Sequence, residues 1–537
     1  MTMQAFGLSC QGGLNTNLNQ FQMLQQPGFA TELQNFEVDP DGGYIRINGY
    51  TLYGGGSAAR PNSSNGILGL FVYGDGVIAC SGTNIYFSLD GATWLQINRS
   101  SVSGSGDNYS TFTGRSTATR TGQAQASFAL YEGSSTYGEV VITDKGSGVK
   151  PALFKMTGTD NLSDRTFFYE EITVSGTVYP KFCTIHDKHL VVAGAATAPN
   201  TIYYSGTSDI NDFTSSGSGS IVLDDQVVGL KSFRGDLIIF CKNSIYKLSD
   251  INVSASIAVT PITQNVGCLD GHSIQEIGGD LIFLSPDGFR TVAGTARIGD
   301  VELSSVSRQI QSIVSKIAGS IDTYTISSAV LRSKSQYRLF YSEPTGSTST
   351  AKGLIGTITP NGFEWSETIG IQAHGFTSGF DNDSVEQIYH GDKDGYVYNH
   401  NTGNDFNPAG TQTNIDARYK TPNLDFGDAG TLKTLHYTKI SFTPEGTVQP
   451  TLKITYDFDD TNRPQPPVYT MDSIPTPAVF GDSTFNTAVF GASSDPMARQ
   501  AVQGSGHNVA FKVYSQDTRA PYSINGIYVD YRPSGRR

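Results

Sequence analysis

Few residues in this chain are of a type and spacing that could do chemistry. His186 and His189 form an HxxH pair, the spacing of two zinc ligands, but tetrahedral zinc needs a full set of nitrogen and sulfur ligands. No third ligand follows nearby, and Asp187-Lys188 between them reads as a turn joining two strands. Asp381, Asp383, Asp392 and Asp394 make a denser carboxylate group. Calcium needs several such oxygens converging on one point, and the rest of a calcium-loop pattern is missing, so turn chemistry is the expected role. The cysteines Cys10, Cys80, Cys183, Cys241 and Cys268 are odd in number and hold no CxxC spacing. Most sit in strand-like runs, which predicts buried reduced thiols. There is no G-x-S-x-G, phosphate loop or dinucleotide fingerprint. No catalytic residue, metal site or cofactor is therefore expected, and the chain is read as a non-enzyme.

The elements that would have to position any such groups are strands. Over 537 residues, 37% are hydrophobic and 11% aromatic, with 60 Gly spread along the chain. Aromatics beside Val, Ile and Thr fit a pleated, half-buried surface, and regularly spaced Gly supplies the turns between short strands. Only 16% of residues are charged, against roughly 25% in an ordinary soluble domain. Such a surface is either of extracellular type or partly covered by neighbouring subunits. The net charge of −13 argues against tight duplex-DNA binding, which needs clustered Lys and Arg, though DNA could slide past a repulsive wall. The opening residues lack the basic start and apolar stretch of a signal peptide. No run approaches the ~18 apolar residues of a membrane span, so neither export by a signal peptide nor a membrane anchor is expected.

An internal repeat indicates the fold. Gly235–Phe240 leads through Lys242-Asn243-Ser244 into Ile245–Leu248, and Gly279–Leu284 through Pro286-Asp287-Gly288 into Phe289–Val292. Both read as strand, tight turn, strand. The phrase recurs at Gly74–Ser88 and Glu386–His400, and more loosely at Asp187–Ser205. Second strands begin at Ile202, Ile245, Phe289 and Tyr396, at intervals of 43, 44 and 107 residues. Tyr337–Tyr341 with Gly353–Gly356 fills the long interval, and Val140–Thr143 with Ala152–Phe154 supplies another unit upstream. A period of ~40–50 residues with several short strands marks propeller blades; solenoid repeats of this length would be helical. One helix is predicted, with Ile310, Ile313, Val314 and Ile317 on one face and Ser304 or Ser305 as cap.

The expected class is all-β: a six- or seven-bladed β-propeller over residues 65–405, with an insertion at 101–127 that is a flexible loop or a projecting hairpin. From about 411 the repeat phrase vanishes, and alternation in Leu452, Ile454, Tyr456 and in Val509, Phe511, Val513 predicts half-buried strands. A second domain, a β-sandwich platform, is placed at 406–537, with residues 1–64 packing on it.

Two resemblances bear on function. Ser88–Trp94 resembles the Asp-box turn of sialidase-like propellers but is one residue short; that box is a structural turn, and no arginine triad or nucleophilic tyrosine accompanies it. The N-terminal stretch is more specific. Gln11–Leu18, Pro27–Ala30, Leu33–Tyr44 and Arg46–Tyr50 resemble the opening of tail proteins from short-tailed bacteriophages, where N-F-x-x-D-x-x-G-G-Y-x-R-x-x-G recurs. Ile202–Ser205, Asp209–Phe213 and Leu237–Leu248 resemble their blade phrase, Lys420–Gly427 the start of their C-terminal sandwich, and Gly535-Arg536-Arg537 its end. Ile45, where a second basic residue is common before Arg46, and the 101–127 insertion depart from the pattern. The resemblance implies a tail nozzle: a structural virion protein forming a homohexameric ring, with the head–tail adaptor above and fibre, spike or needle proteins attached. DNA would pass through the lumen unbound, and the ring would be assembled in the host cytoplasm. Phe36, Tyr44, Arg46 and Tyr50 are then expected at a partner interface. The competing expectation is a receptor-binding or glycan-degrading protein at the tail tip.

Overall fold

The computed structural model describes all residues except 1, 25, 98–110, 114–119, 121–123, 134–136, 147, 158–165, 254–255, 294–304, 475–496 and 537. Strands make up 51% of the chain and helices 8%, which places it in the all-β class. Six sheets of at least four strands, with a three-stranded seventh between them, surround one axis. Blade 1 runs from Ile67–Tyr73 to Leu95–Gln96, blade 2 from Ala126–Tyr131 to Thr166–Glu171, and blade 3 from Phe182–His186 to Gly219–Val222. Blade 4 runs from Val227–Phe233 to Ala258–Thr263; the short blade 5 comprises Gln275–Ile277, Asp280–Ser285 and Gly288–Thr291. Blade 6 spans Thr325–Leu331 to Gly362–Ile369, and blade 7 spans Gly375–Phe380 to Val397–His400.

The repeat phrases read from the sequence are the second and third strands of these blades. Asp236–Cys241 pairs with Ile245–Ser249, and Asp280–Ser285 with Gly288–Thr291, both antiparallel. Each blade is apolar on both faces and cannot bury both alone. Separate apolar clusters fill the gaps between neighbours: Ile78 and Phe87 against Phe154 and Phe167 between blades 1 and 2, and Val191 and Ile202 against Ile239 and Leu248 between blades 3 and 4.

Two further sheets make the second domain. Tyr522–Arg536 and Thr431–Pro444 are the long central strands of one, flanked by Tyr44–Arg46 and Gln4–Ser9 on one side and Met497–Ala501 on the other. The other layer contains Ile415–Lys420, Val509–Asp517 and Thr451–Tyr456. Their inner faces share one core, with Ile440, Phe442, Ile524 and Ile527 opposite Tyr419, Leu452, Phe511 and Val513.

This second layer is continuous with the propeller. Gln34 pairs in parallel with Glu367 of blade 6, while Glu32–Gln34 pairs with Arg418–Lys420, so nine strands form one sheet across both domains. Blade 7 takes its fourth strand from Tyr50–Leu52, which pairs with Tyr398–His400. The opening segment thus does more than dock on the platform: it runs through both domains.

The helix forms at Gln311–Gly319, preceded by a 3-10 turn at Arg308–Ile310, with Val314 and Ile317 buried. Ser305 is not its cap. Ile310 holds that position, no side chain caps the helix, and Ser305 instead bridges to Arg290 of blade 5. Ser304 lies outside the described residues, as does most of 101–127; within it Thr111–Thr113 pairs with Thr166–Phe168 of blade 2. No helix among the described residues is long and apolar enough to cross a membrane.

Candidate functional site

The inner strands of all seven blades begin around a cavity of about 190 Å3 on the propeller axis. Gln125, just before the inner strand of blade 2, donates through Nε2 to the Ile326 carbonyl of blade 6 at 2.7 Å. His272, in the turn leading into blade 5, reaches the Ala126 carbonyl of blade 2 through Nε2 at 3.2 Å. Above them Lys145 Nζ lies 2.6 Å from Asp270 Oδ2, again joining blades 2 and 5. These bonds span the axis between blades that are not neighbours, so they close this end of it. Burial would raise the Asp270 carboxyl, but hydrogen bonding from His272 and the Lys145 charge hold it well below the usual carboxylate range.

Around the same wall, Gln275 Nε2 donates to the Ser328 carbonyl at 2.9 Å and Ser327 Oγ to the Ala373 carbonyl at 2.6 Å. His374 pairs with Ser342 Oγ at 3.1 Å, and burial lowers its pKa to about 4. The cavity lining includes Leu68, Phe182, Ile274 and Phe376 and contains no Asp or Glu. The paired carboxylates of glycoside hydrolysis have no place in it.

The candidates singled out by sequence do not converge on this cavity. His186 and His189 face each other across a two-residue turn in which Asp187 and Lys188 both have positive φ, 46° and 67°. His189 Nδ1 donates to the Ser205 carbonyl at 2.6 Å and Nε2 lies 2.9 Å from the Asn252 side chain, while His186 meets Ser232 Oγ at 2.9 Å. Both are hydrogen-bonded core histidines. Asp381 accepts from the backbone N–H of Asp383 and Val385, and Asp392 from those of Asp394 and Tyr396, so each closes its own turn. Among the described residues no cluster of three or more His, Cys, Asp or Glu could hold a metal ion. All five thiols are buried and free, and burial pushes Cys80 to about 11 and Cys183 to about 12. In Ser88–Trp94, Ser88 Oγ accepts from Gly91 N–H at 2.9 Å and Asp90 from Ala92 and Thr93 N–H at 2.9 Å, while Trp94 packs on Tyr53. These bonds make the segment a turn.

Phe36, Tyr44, Arg46 and Tyr50 are at most 1% exposed. Side chains so deeply buried offer a partner no surface, and they serve instead as the joint between propeller and platform. Tyr44 Oη donates to the Gly28 carbonyl at 2.8 Å and accepts from Gly13 N–H at 3.1 Å. The Arg46 guanidinium donates to the carbonyls of Asp517 at 2.7 Å and of Asn404 and Ala520 at 3.2 Å, with the Asp517 carboxylate 3.5 Å away. Tyr50 stacks on Phe406 and meets His390 and Tyr398 edge-on.

No family model matches this chain, and no curated protein matches it. Solved structures do. An exo-β-1,3-galactanase from Phanerochaete chrysosporium is 8% identical, covering 90% of this chain and 100% of its own at a TM-score of 0.25. The CNH domain of AfRom2 is 10% identical, covering 66% and 100% at a TM-score of 0.37. The WD40 domain of Neurospora crassa Pan2 is 6% identical, covering 67% and 96% at 0.34. At these scores the likenesses carry nothing about what this chain binds or does.

Sequence reasoning missed the residues that do come together. Gln125, Lys145, Asp270 and His272 lie in the connections between repeat phrases, where no period marks them. Glu37 and Arg338, paired at 2.7 Å and each at most 2% exposed, are about 300 residues apart in sequence. A signal did exist for Arg338, a charge inside the apolar run Tyr337–Tyr341; a charge there needs a partner.

Proposed function

We propose that this chain is the nozzle subunit of a short bacteriophage tail, a structural virion protein that assembles six copies into a conduit for DNA ejection. The observation that carries this reading is where the family-like phrases lie. Leu33–Tyr44 and Arg46–Tyr50, the stretch most similar to nozzle openings, welds the propeller to the platform through a shared sheet, a buried arginine and the closing strand of blade 7. A part that must hold its shape under the load of ejected DNA needs a joint of this kind, with no hinge between its domains.

The closed axis adds a constraint. A cavity of about 190 Å3 crossed by hydrogen bonds does not pass a duplex whose major groove alone is about 12 Å wide. The conduit must then run between copies, with the head–tail adaptor at one end and fibre, spike or needle proteins bound to the ring. A net charge of −13 would help keep DNA from sticking to the wall.

Native mass spectrometry and electron microscopy of purified protein and particles test this. Closed rings of six, carrying no glycan-releasing activity, are expected. A strictly monomeric chain inside assembled particles would overturn the reading, as would release of sugar from host surface glycans.

A further inference from the structure

Lys334 Nζ sits between a carboxylate and a side-chain amide. It donates to Glu37 Oε1 at 2.6 Å and to Asn401 Oδ1 at 3.2 Å. Arg338 Nη2 meets the same two groups, Glu37 Oε2 at 2.7 Å and Asn401 Oδ1 at 3.3 Å. Two cations aim at one atom of Asn401, which fits the carbonyl oxygen and not the amide nitrogen, a donor only. Separate parts of the chain supply these groups. Glu37 comes from Phe36–Val38, Lys334 from the 3-10 turn Arg332–Lys334 of blade 6, and Asn401 follows the strand Val397–His400 of blade 7. Asn401 is held at a φ of 61°, and Glu37 and Arg338 are at most 2% exposed. Among the described residues no other lysine ammonium meets a side-chain amide.

An ion pair needs only the carboxylate. The amide adds an electrophilic carbon, and a lysine amine freed of its proton is a nucleophile. With a C=O bond of about 1.23 Å, Asn401 Cγ lies within about 4.5 Å of Nζ. A small side-chain rotation closes that to the ~3–3.5 Å of a near-attack arrangement. Glu37 is already placed to take the proton from Nζ. Arg338 already donates to the oxygen on which negative charge would develop. Glu37, Lys334 and Gln336 line a cavity of about 290 Å3, which gives a small leaving group room to depart.

We propose that Lys334 and Asn401 become joined by an intramolecular isopeptide bond, which the folded chain forms by itself with Glu37 as general acid–base and Arg338 as oxyanion donor. Lys334 passes one proton to Glu37, and the free amine attacks Asn401 Cγ. Arg338 holds the tetrahedral oxyanion. As this collapses, the Cγ–Nδ2 bond breaks, and the departing nitrogen takes the proton from Glu37 and a second from Nζ, leaving as ammonium. One C–N bond replaces another, so no oxidant or co-reactant is required. Glu37 is ionised again at the end and stays paired with Arg338. The bond staples blade 6 to blade 7 beside the N-terminal strand, across residues 67 apart in sequence. Its formation is independent of the nozzle assignment.

Intact mass and peptide mapping of the folded full chain test this. Wild type is expected to be lighter than its sequence by one ammonia, and digestion should release a branched peptide joining Lys334 to Asn401. Lys334→Arg and Asn401→Gly should keep the sequence mass and yield no branched peptide. Both should fold, because arginine keeps the charge beside Glu37 and glycine suits a φ of 61°. Glu37→Gln, followed as folded protein, should form the bond at least about a hundredfold more slowly. Wild type at its full sequence mass with only linear peptides would overturn the proposal, a result that needs no variant to fold. Loss of water in place of ammonia would overturn it too, since that would put the bond on a carboxylate. So would loss of ammonia without a branched peptide, the mark of an asparagine cyclised on its own backbone.

Discussion

Glu37 is 2% exposed and sits between two cations, Lys334 Nζ at 2.6 Å and Arg338 Nη2 at 2.7 Å. Arg338 is itself buried and gives its remaining donors to Gln336 and to His400 Nε2, the latter at 2.9 Å. Removing one member of such a pair leaves an uncompensated charge in a dry site, which is more damaging than never having had the pair. Glu37→Gln is expected to lose about 3–5 kcal/mol in urea unfolding. Glu37→Leu combined with Arg338→Met should recover most of it. If the single substitution is neutral, the pair is not dry and its place in the joint is smaller than the geometry implies.

Among the elements, the closing of blade 7 depends on protonation. Arg338 can only donate, so His400 Nε2 accepts and its Nδ1–H faces His390 Nδ1 at 3.2 Å. This chain of bonds exists only while both rings are neutral. Burial pulls His390 down to about 3, and burial with the neighbouring His390, Arg338 and Lys334 charges pulls His400 well below its usual 6.5. His390 is otherwise enclosed by Tyr50 and Tyr398, and His400 by Phe340 and Phe376. The unfolded chain takes up protons on both histidines below pH 6.5 and the folded chain does not. Their effect is absent above 6.5, and stability falls as the pH drops from there toward 3. The expected slope is about 1.4 kcal/mol per pH unit for each histidine. Urea midpoints at pH 7.5 and 5 measure it, and a flat or rising midpoint would refute it.

At the scale of the whole molecule, propeller and platform share one apolar core, beside the smaller clusters between blades. A single apolar cluster runs from Phe289, Leu339 and Trp365 of the propeller to Ile440, Phe511 and Val529 of the platform, and a nine-stranded sheet crosses with it. Domains that share core and sheet cannot melt independently without exposing that surface. Calorimetry should therefore show one cooperative endotherm whose van't Hoff and calorimetric enthalpies agree. Two resolved transitions would mean that the joint at Glu32–Gln34 and Tyr50–Leu52 is weaker than its pairing indicates. Stiffness of this order is what assembly into a load-bearing ring would use.

The hairpin phrases at Leu237–Leu248 and Leu281–Val292 were enough to define the blades, because turn residues and apolar runs are local and each blade repeats them. The platform strands at Leu452–Tyr456 and Val509–Val513 were legible for the same reason, since alternation is written in neighbouring residues. The sequence alone could not reveal that Phe36, Tyr44, Arg46 and Tyr50 are internal. An aromatic or arginine in an irregular segment looks alike whether it faces a partner or its own chain. Nor could it place the bonds from Gln125 and His272 across the axis. Those depend on which blades stand opposite when the ring closes, and closure is a property of all the sheets together.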